Sequence, residues 1–312
     1  MRKVSRRAVV FGGMGALVAA CSSENGDPDI RVVPGQREPG DHEEAATEPT
    51  PEPTPEPEDP TTVLQEGEWG GTHQEELLLP GTAWETGLIV RDSGISGPVV
   101  LVLGGVHGNE PGSWLGAEQM TAWEPARGTL LVAPYVNVHA IDAFERTLEE
   151  LGDMNRLYPG DHASDLPMEQ MAAEVLDVAR AWEVDLLLDL HESWGFYAEY
   201  PDNAGYYAIG QTVTTGKGPL SPGFGESLAN RVNQQFTERE QMIIRDGEHY
   251  RAPRVFDFNH PMSGRSSLAA GGYVGGLTPV LIEMGQENQP VERRTALQLR
   301  ITRAALDMLE MA

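Results

Sequence analysis

The sequence predicts an α/β fold, a single domain whose central mixed, largely parallel sheet is flanked by helices. Two observations carry that expectation. Four apolar runs, PVVLVLGG (98–105), TLLVAPYVNV (129–138), VDLLLDL (184–190) and TPVLIEM (278–284), are continuous rather than alternating. Strands read this way when both faces of their sheet are covered. Helical periodicity separates and follows the runs, and strands alternating with helices build one layered α/β domain.

The chain opens with segments that are not part of that domain. MRKVSRR is basic, AVVFGGMGALVAA is modestly apolar, and VAAC closes with small residues before Cys21. This is the layout of an export signal over residues 1–20, too short and too glycine-rich to span a bilayer. VAAC resembles a lipobox, so Cys21 is expected to carry a lipid, and SRRAVV resembles a twin-arginine motif with Val-Val in place of Phe-Leu. Cys21 is the single cysteine of the chain, so the exported domain has no disulfide to hold it. Residues 21–62 combine twelve acids with regular prolines (TEPTPEPTPEPEDP) and few large apolar side chains. Such a segment cannot bury enough surface to fold and serves as an extended tether. The expected location is therefore the outer face of the cell membrane, with a lipid anchor holding the domain of residues 63–312.

Net charge excludes one class of partner. The whole chain carries −26, and loss of the four basic residues of the signal takes it to −30. The tether holds twelve acids against two arginines, which leaves −20 on residues 63–312. Phosphate backbones are repelled by such a surface, so no nucleic-acid role is expected.

Within the domain the helices follow from periodicity. Met168, Met171, Ala172, Val175, Ala179 and Trp182 form one stripe, with Pro167 suited to a first turn. Leu228, Val232 and Phe236 mark a second helix, and Leu297, Ile301, Ala305 and Leu309 a closing one. The stretch 201–278, rich in Gly, Pro and Tyr, reads as long irregular loops.

Ligands of open α/β sheets collect at the carboxyl ends of the strands. His107 and Glu110 follow the first apolar run in GGVHGNEPG, and His191 ends another in LLLDLHES. Two histidines and a carboxylate suit a catalytic zinc with its fourth position open. A histidine closing a strand is otherwise an ordinary core residue, so the set as a whole carries the signal.

Taken together, GGVHGNEPG, GDMNRLYPG, LLLDLHES and LIEMGQE resemble, in order and spacing, the succinylglutamate desuccinylase/aspartoacylase family of the zinc carboxypeptidase clan. The resemblance covers residues 98–312. It implies one zinc per chain on His107, Glu110 and His191, and Glu283 as the base that takes a proton from the attacking water. Glu287 is the rival for that role. It further implies that Asn155 and Arg156 grip a substrate carboxylate. Asp153 would orient a zinc-bound histidine, and Arg146 would stabilise the oxyanion. The 29 residues after Glu283 accommodate the closing helix but not the C-terminal β domain of aspartoacylases. Arg251, Arg254, His260 and Arg265 are candidates to replace contacts made by that domain.

The expected activity is hydrolysis of an amide, or an ester, in a small carboxylate-bearing substrate such as an N-acyl amino acid. A carboxypeptidase or cell-wall peptide amidase is the nearer alternative, and suits an exported protein. A solute-binding lipoprotein without catalysis is the remaining one.

Overall fold

The computed structural model describes residues 69–200, 207–221, 223–244 and 265–312. The signal, the tether and Cys21 lie outside these residues, as do Arg251, Arg254 and His260. Eight strands form one sheet in the order β1-β2-β4-β3-β5-β8-β6-β7. Its centre is built from the predicted apolar runs: β3 (Val99–Leu103), β4 (Thr129–Ala133), β5 (Leu186–Ser193) and β8 (Thr278–Gly285) are mutually parallel. At the margins β1 (Thr72–Leu78) pairs antiparallel with β2 (Thr86–Asp92), and β2 antiparallel with β4. On the other side β6 (Thr212–Thr215) runs antiparallel to β8 and parallel to the two-residue β7 (Ile243–Ile244).

Helices cover both faces, which is why the central strands are apolar throughout. On one face α1 (Pro111–Met120), α4 (Gly223–Asn233) and α6 (Val291–Met308) pack over Val100, Val102, Leu186, Leu188, Leu190, Val280 and Ile282. On the other, α3 (Pro167–Ala181) lays the predicted stripe of Met168, Met171, Ala172, Val175 and Ala179 against Leu101, Leu103, Leu131 and Leu187. Each such buried side chain stabilises the fold by about 1.5–3 kcal/mol. Pro167 occupies the first turn of α3, where its missing N–H costs nothing. Two short helices, α2 (Val138–Ala143) and α5 (Ala270–Tyr273), lie in connections. Among the described residues no helix is long and apolar enough to cross a membrane.

The alternation of β5 positions the chemistry. Leu186, Leu188 and Leu190 face α1, α4 and α6. The odd residues Leu187, Asp189 and His191 therefore share the opposite face. His191 is the register partner of Glu283 in parallel β8, so both side chains leave the sheet on the same side.

Three expectations need correction. The run 129–138 is a strand only to Ala133, because Pro134 cannot continue the ladder and α2 starts at Val138. The second predicted helix ends at Asn233, and Phe236 is buried just beyond it. The stretch 201–278 is not wholly irregular, since its described parts contain β6, α4, β7 and α5.

Candidate metal centre

The site begins where β3 ends. Gly105 takes a left-handed backbone, φ +68°, a conformation that favours glycine. It turns the chain so that Val136 and Asn137 donate backbone N–H bonds to the carbonyls of Gly104 and Gly105 at 3.0 and 2.9 Å. Gly108 lies so near α2 that a Cβ there would collide with the carbonyl of Ala140. The glycines of GGVHGNEPG thus bring His107 inward, and Glu110 sits at the N-cap of α1 ahead of Pro111.

Three side chains from two elements converge here, all buried. His107 Nδ1 is 2.7 Å from Glu110 Oε1, His191 Nδ1 is 2.8 Å from Glu110 Oε2, and the two Nδ1 atoms are 3.1 Å apart. The backbone N–H of Glu192 donates to Glu110 Oε2 at 2.9 Å and fixes the carboxylate. In tetrahedral zinc sites with ligand bonds of about 2.0–2.1 Å, ligand atoms lie about 3.4 Å apart. The triangle here is a few tenths of an ångström tighter and opens to that size with small side-chain shifts. The donor set fits a metal ion.

Outer partners support the same geometry. His107 Nε2 is 3.2 Å from Asp153 Oδ1, and His191 Nε2 is 3.0 Å from Asp189 Oδ2. With a carboxylate beside each outer nitrogen, the two Nδ1 atoms are the nitrogens left on the side of Glu110 for a metal. Asp153 also caps a 3₁₀ turn, Met154–Arg156, by accepting the N–H of Asn155 at 3.0 Å.

The electrostatics favour a positive charge at the centre. Burial raises the carboxyl pKa values of Glu110 and Asp153, but their neighbours outweigh it and hold both well below the usual carboxylate range. For Glu110 these are His107 and His191, and for Asp153 they are His107, Arg146 and Arg156. Burial disfavours the imidazolium of His191, yet the carboxylates of Asp189 and Glu110 outweigh that and raise it well above its ordinary value. A pocket that keeps its acids ionised and draws protons onto an imidazole is one that a cation would stabilise.

Other predicted residues take definite places. Arg146 donates to Asp153 Oδ2 from Nε and Nη2 at 3.2 and 3.0 Å, and lies 3.7 Å from Glu110 Oε1. Its side chain remains 42% exposed, so it borders the open side of the pocket. Burial lowers its pKa, but the carboxylates of Asp153, Glu110 and Glu283 raise it further. Arg156 is half-buried and donates to the Asn155 carbonyl at 2.7 Å. Asn155 is less available than expected: its Nδ2 lies 2.7 Å from His191 Nε2 and its Oδ1 accepts from the Ser267 N–H at 3.1 Å. Glu283 is buried beside His191, whereas Glu287 accepts the Tyr200 hydroxyl at 3.0 Å. Arg265 is exposed.

Two acids of the site were not singled out in the sequence. Asp189 interrupts one face of an otherwise apolar strand, a signal that was present in LLLDLHES. Glu192 sits on the α6 side, paired with Arg294 at 2.8 Å, and burial, opposed by that arginine, pushes its carboxyl up to about 7. Its partner comes from α6, more than a hundred residues on, and nothing local marks the pairing.

Known proteins resemble this chain in part of its sequence and in its fold. Residues 96–194 match the succinylglutamate desuccinylase/aspartoacylase catalytic domain. That segment holds His107, Glu110, Arg146, Asp153, Asn155, Arg156 and His191, but not Glu283. Among solved structures, a variant of cell shape determinant protein Csd4 from Helicobacter pylori aligns with a TM-score of 0.59 at 17% identity, over 72% of this chain and 55% of that one. The ectoine utilization protein EutE (DoeB) from Ruegeria pomeroyi aligns at 0.50 and 18% identity, over 80% and 70% of the two chains. A succinylglutamate desuccinylase/aspartoacylase from Rhodobacter sphaeroides aligns at 0.50 and 16% identity, over 79% and 68%. At these identities the likeness is one of fold, and the chain spans 55% of the length of the Csd4 structure. No curated protein matches the sequence. Over residues 96–194, the stretch that carries all three candidate metal ligands, the chain is similar to the succinylglutamate desuccinylase/aspartoacylase catalytic domain.

Proposed function

We propose that this protein is a zinc-dependent hydrolase that cleaves an amide bond, or an ester, next to a carboxylate in a small acyl amino acid or peptide. One observation carries the reading: His107, Glu110 and His191 meet within 2.7–3.1 Å of one another, and Glu283 rises beside His191 from the neighbouring strand. The family match supports amide hydrolysis as the reaction class.

When bound, zinc supplies Lewis acidity, polarising a carbonyl and lowering the pKa of a coordinated water to about 7. The rest falls to the chain. Glu283 accepts the proton of the attacking water and returns it to the leaving nitrogen, a contribution of about 10²–10⁴-fold in rate. Arg146, within electrostatic reach of Glu110 and Glu283, stabilises negative charge as it develops on the carbonyl oxygen. Arg156 offers a planar fork to the substrate carboxylate. Asn155, engaged with His191 and Ser267, holds that part of the pocket and reaches substrate only by exchanging one of these contacts.

A second reading, peptide cleavage, is favoured by the fold likeness to Csd4, a protein described as a D,L-carboxypeptidase and known in tripeptide-bound and mDAP-bound forms. It also suits an exported protein anchored through Cys21, the location proposed from VAAC and the tether. Metal analysis of purified protein, followed by N-acyl amino acids and muropeptides as substrates, separates the readings. Release of an acyl group supports the first, and release of a terminal amino acid supports the second. Solute binding without turnover of either would make the chain a binding lipoprotein instead.

A further inference from the structure

Coordination through Nδ1 leaves each histidine's Nε2 to be placed by the protein, and the partner of Nε2 sets ring orientation and tautomer. For His107 that partner is Asp153. His191 has two groups against Nε2, Asn155 Nδ2 at 2.7 Å and Asp189 Oδ2 at 3.0 Å, and they demand opposite states of the ring. Nδ2 is a donor, and the Oδ1 of the same amide already accepts from Ser267, so Asn155 suits only a bare Nε2. A bare Nε2 in the neutral ring puts the proton on Nδ1, pointing into the ligand triangle and closing it to a metal. A carboxylate oxygen of Asp189 accepts, and so suits an Nε2 that carries the proton.

The surroundings of Asp189 decide between them. Its side chain is 1% exposed. Neither carboxylate oxygen has a partner with hydrogen-bond geometry, and the nearby buried Tyr158 hydroxyl has none either. As placed, the 3.0 Å contact lies off the ring N–H axis. A buried carboxylate left without a donor is far more costly than one reoriented amide. The spacing Asp189-Leu190-His191 puts carboxylate and imidazole on one face of β5, so the strand itself delivers the pair.

We propose that Asp189 is the positioning carboxylate of His191: it takes the Nε2–H and leaves Nδ1, on the side of His107 and Glu110, as the nitrogen that a metal would bind. The inference rests on the metal-site reading above, for which Asp189 adds the second outer carboxylate beside Asp153.

The test uses the full chain labelled with ¹⁵N-histidine, before and after zinc, with zinc affinity measured by competition against a chromophoric chelator. The metal-free protein is expected to show a slowly exchanging His191 Nε2–H, assigned by its loss in His191→Gln. Asp189→Asn, nearly isosteric, is expected to lose that protection and to weaken zinc binding about 10–100-fold, the range for outer-shell partners. Asp189→Glu is expected to recover part of both. An unprotonated Nε2 in the wild type overturns the proposal even if the variants fail to fold. So does an Asp189→Asn protein that binds zinc as tightly as wild type. A protected Nε2–H in a protein that binds no zinc would leave the Asp189 contact standing and overturn the metal-site reading instead.

Discussion

Glu283 and Glu287 are four residues apart and meet different surroundings. The carboxylate of Glu287 is held by the Tyr200 phenol, and its carbonyl accepts from Arg239 at 2.9 Å. Glu283 is buried in register with His191 and within the field of Arg146. Glu283→Gln keeps size and shape but cannot accept a proton, so kcat is expected to fall by about 10²–10⁴-fold with zinc retained. Glu287→Gln is expected to leave kcat near wild type. Loss of activity in the second variant and not the first would overturn the assignment of the base. At this scale the convergence of the three residues was legible in part, because His107 and Glu110 follow the end of β3 and His191 closes the apolar run inside β5. The actual engagement of Asn155 was not. It depends on where the Ser267 backbone is delivered, 112 residues along the chain.

Elements differ in how openly the sequence announces them. The four central strands are legible because coverage on both faces makes them continuously apolar. Strand β1, THQEELL, is an exposed edge with no apolar run, and β2 buries only alternate residues. Helix α1 shows no apolar stripe because its buried face is mostly small: Ser113, Gly116 and Ala117 share it with Met120, and Gly116 faces Gln298 of α6. The close approach of Gly108 to α2 gives a test at this level. Gly108→Ala is expected to cost about 1–3 kcal/mol, the range for overpacking, and to weaken zinc binding by displacing His107. Gly275→Ala, where a Cβ would meet nothing within 4 Å, is the control, and equal melting temperatures for the two variants would contradict the placement of α2. A pH test belongs to α6. Arg293 grips Glu240 with two bonds of 2.6 and 2.7 Å, and these hold the Glu240 pKa below its ordinary value against the opposing effect of burial. A depressed folded-state pKa means stability that is present above the ordinary carboxylate range and lost as pH falls through the lowered value. Denaturant melts of the wild type should therefore show a decline on acidification that is smaller in Arg293→Met. The same slope in both proteins would remove this pair from the acid response.

The whole molecule is acidic, and its candidate site sets a few arginines among several carboxylates. Residues 63–312 carry −20 while Arg146 and Arg156 stand at Asp153, so under the proposed function an anionic substrate is drawn by these side chains rather than by the surface at large. The α/β class and its parallel centre were legible because patterning reflects layers, whereas the antiparallel margins were not, because edge strands need no continuous apolar run. The proposed anchor is tested at this scale too: Cys21→Ala is expected to release the protein from membranes or block its processing, checked by fractionation, and a membrane-bound, normally trimmed variant would contradict the lipobox. The central claim, that a metal held by His107, Glu110 and His191 makes this chain a hydrolase, is tested most directly by stripping the purified protein with a chelator and titrating zinc back. Hydrolysis of an N-acyl amino acid or muropeptide should vanish on stripping and return at about one zinc per chain. Hydrolysis that survives complete removal of metal would contradict the account.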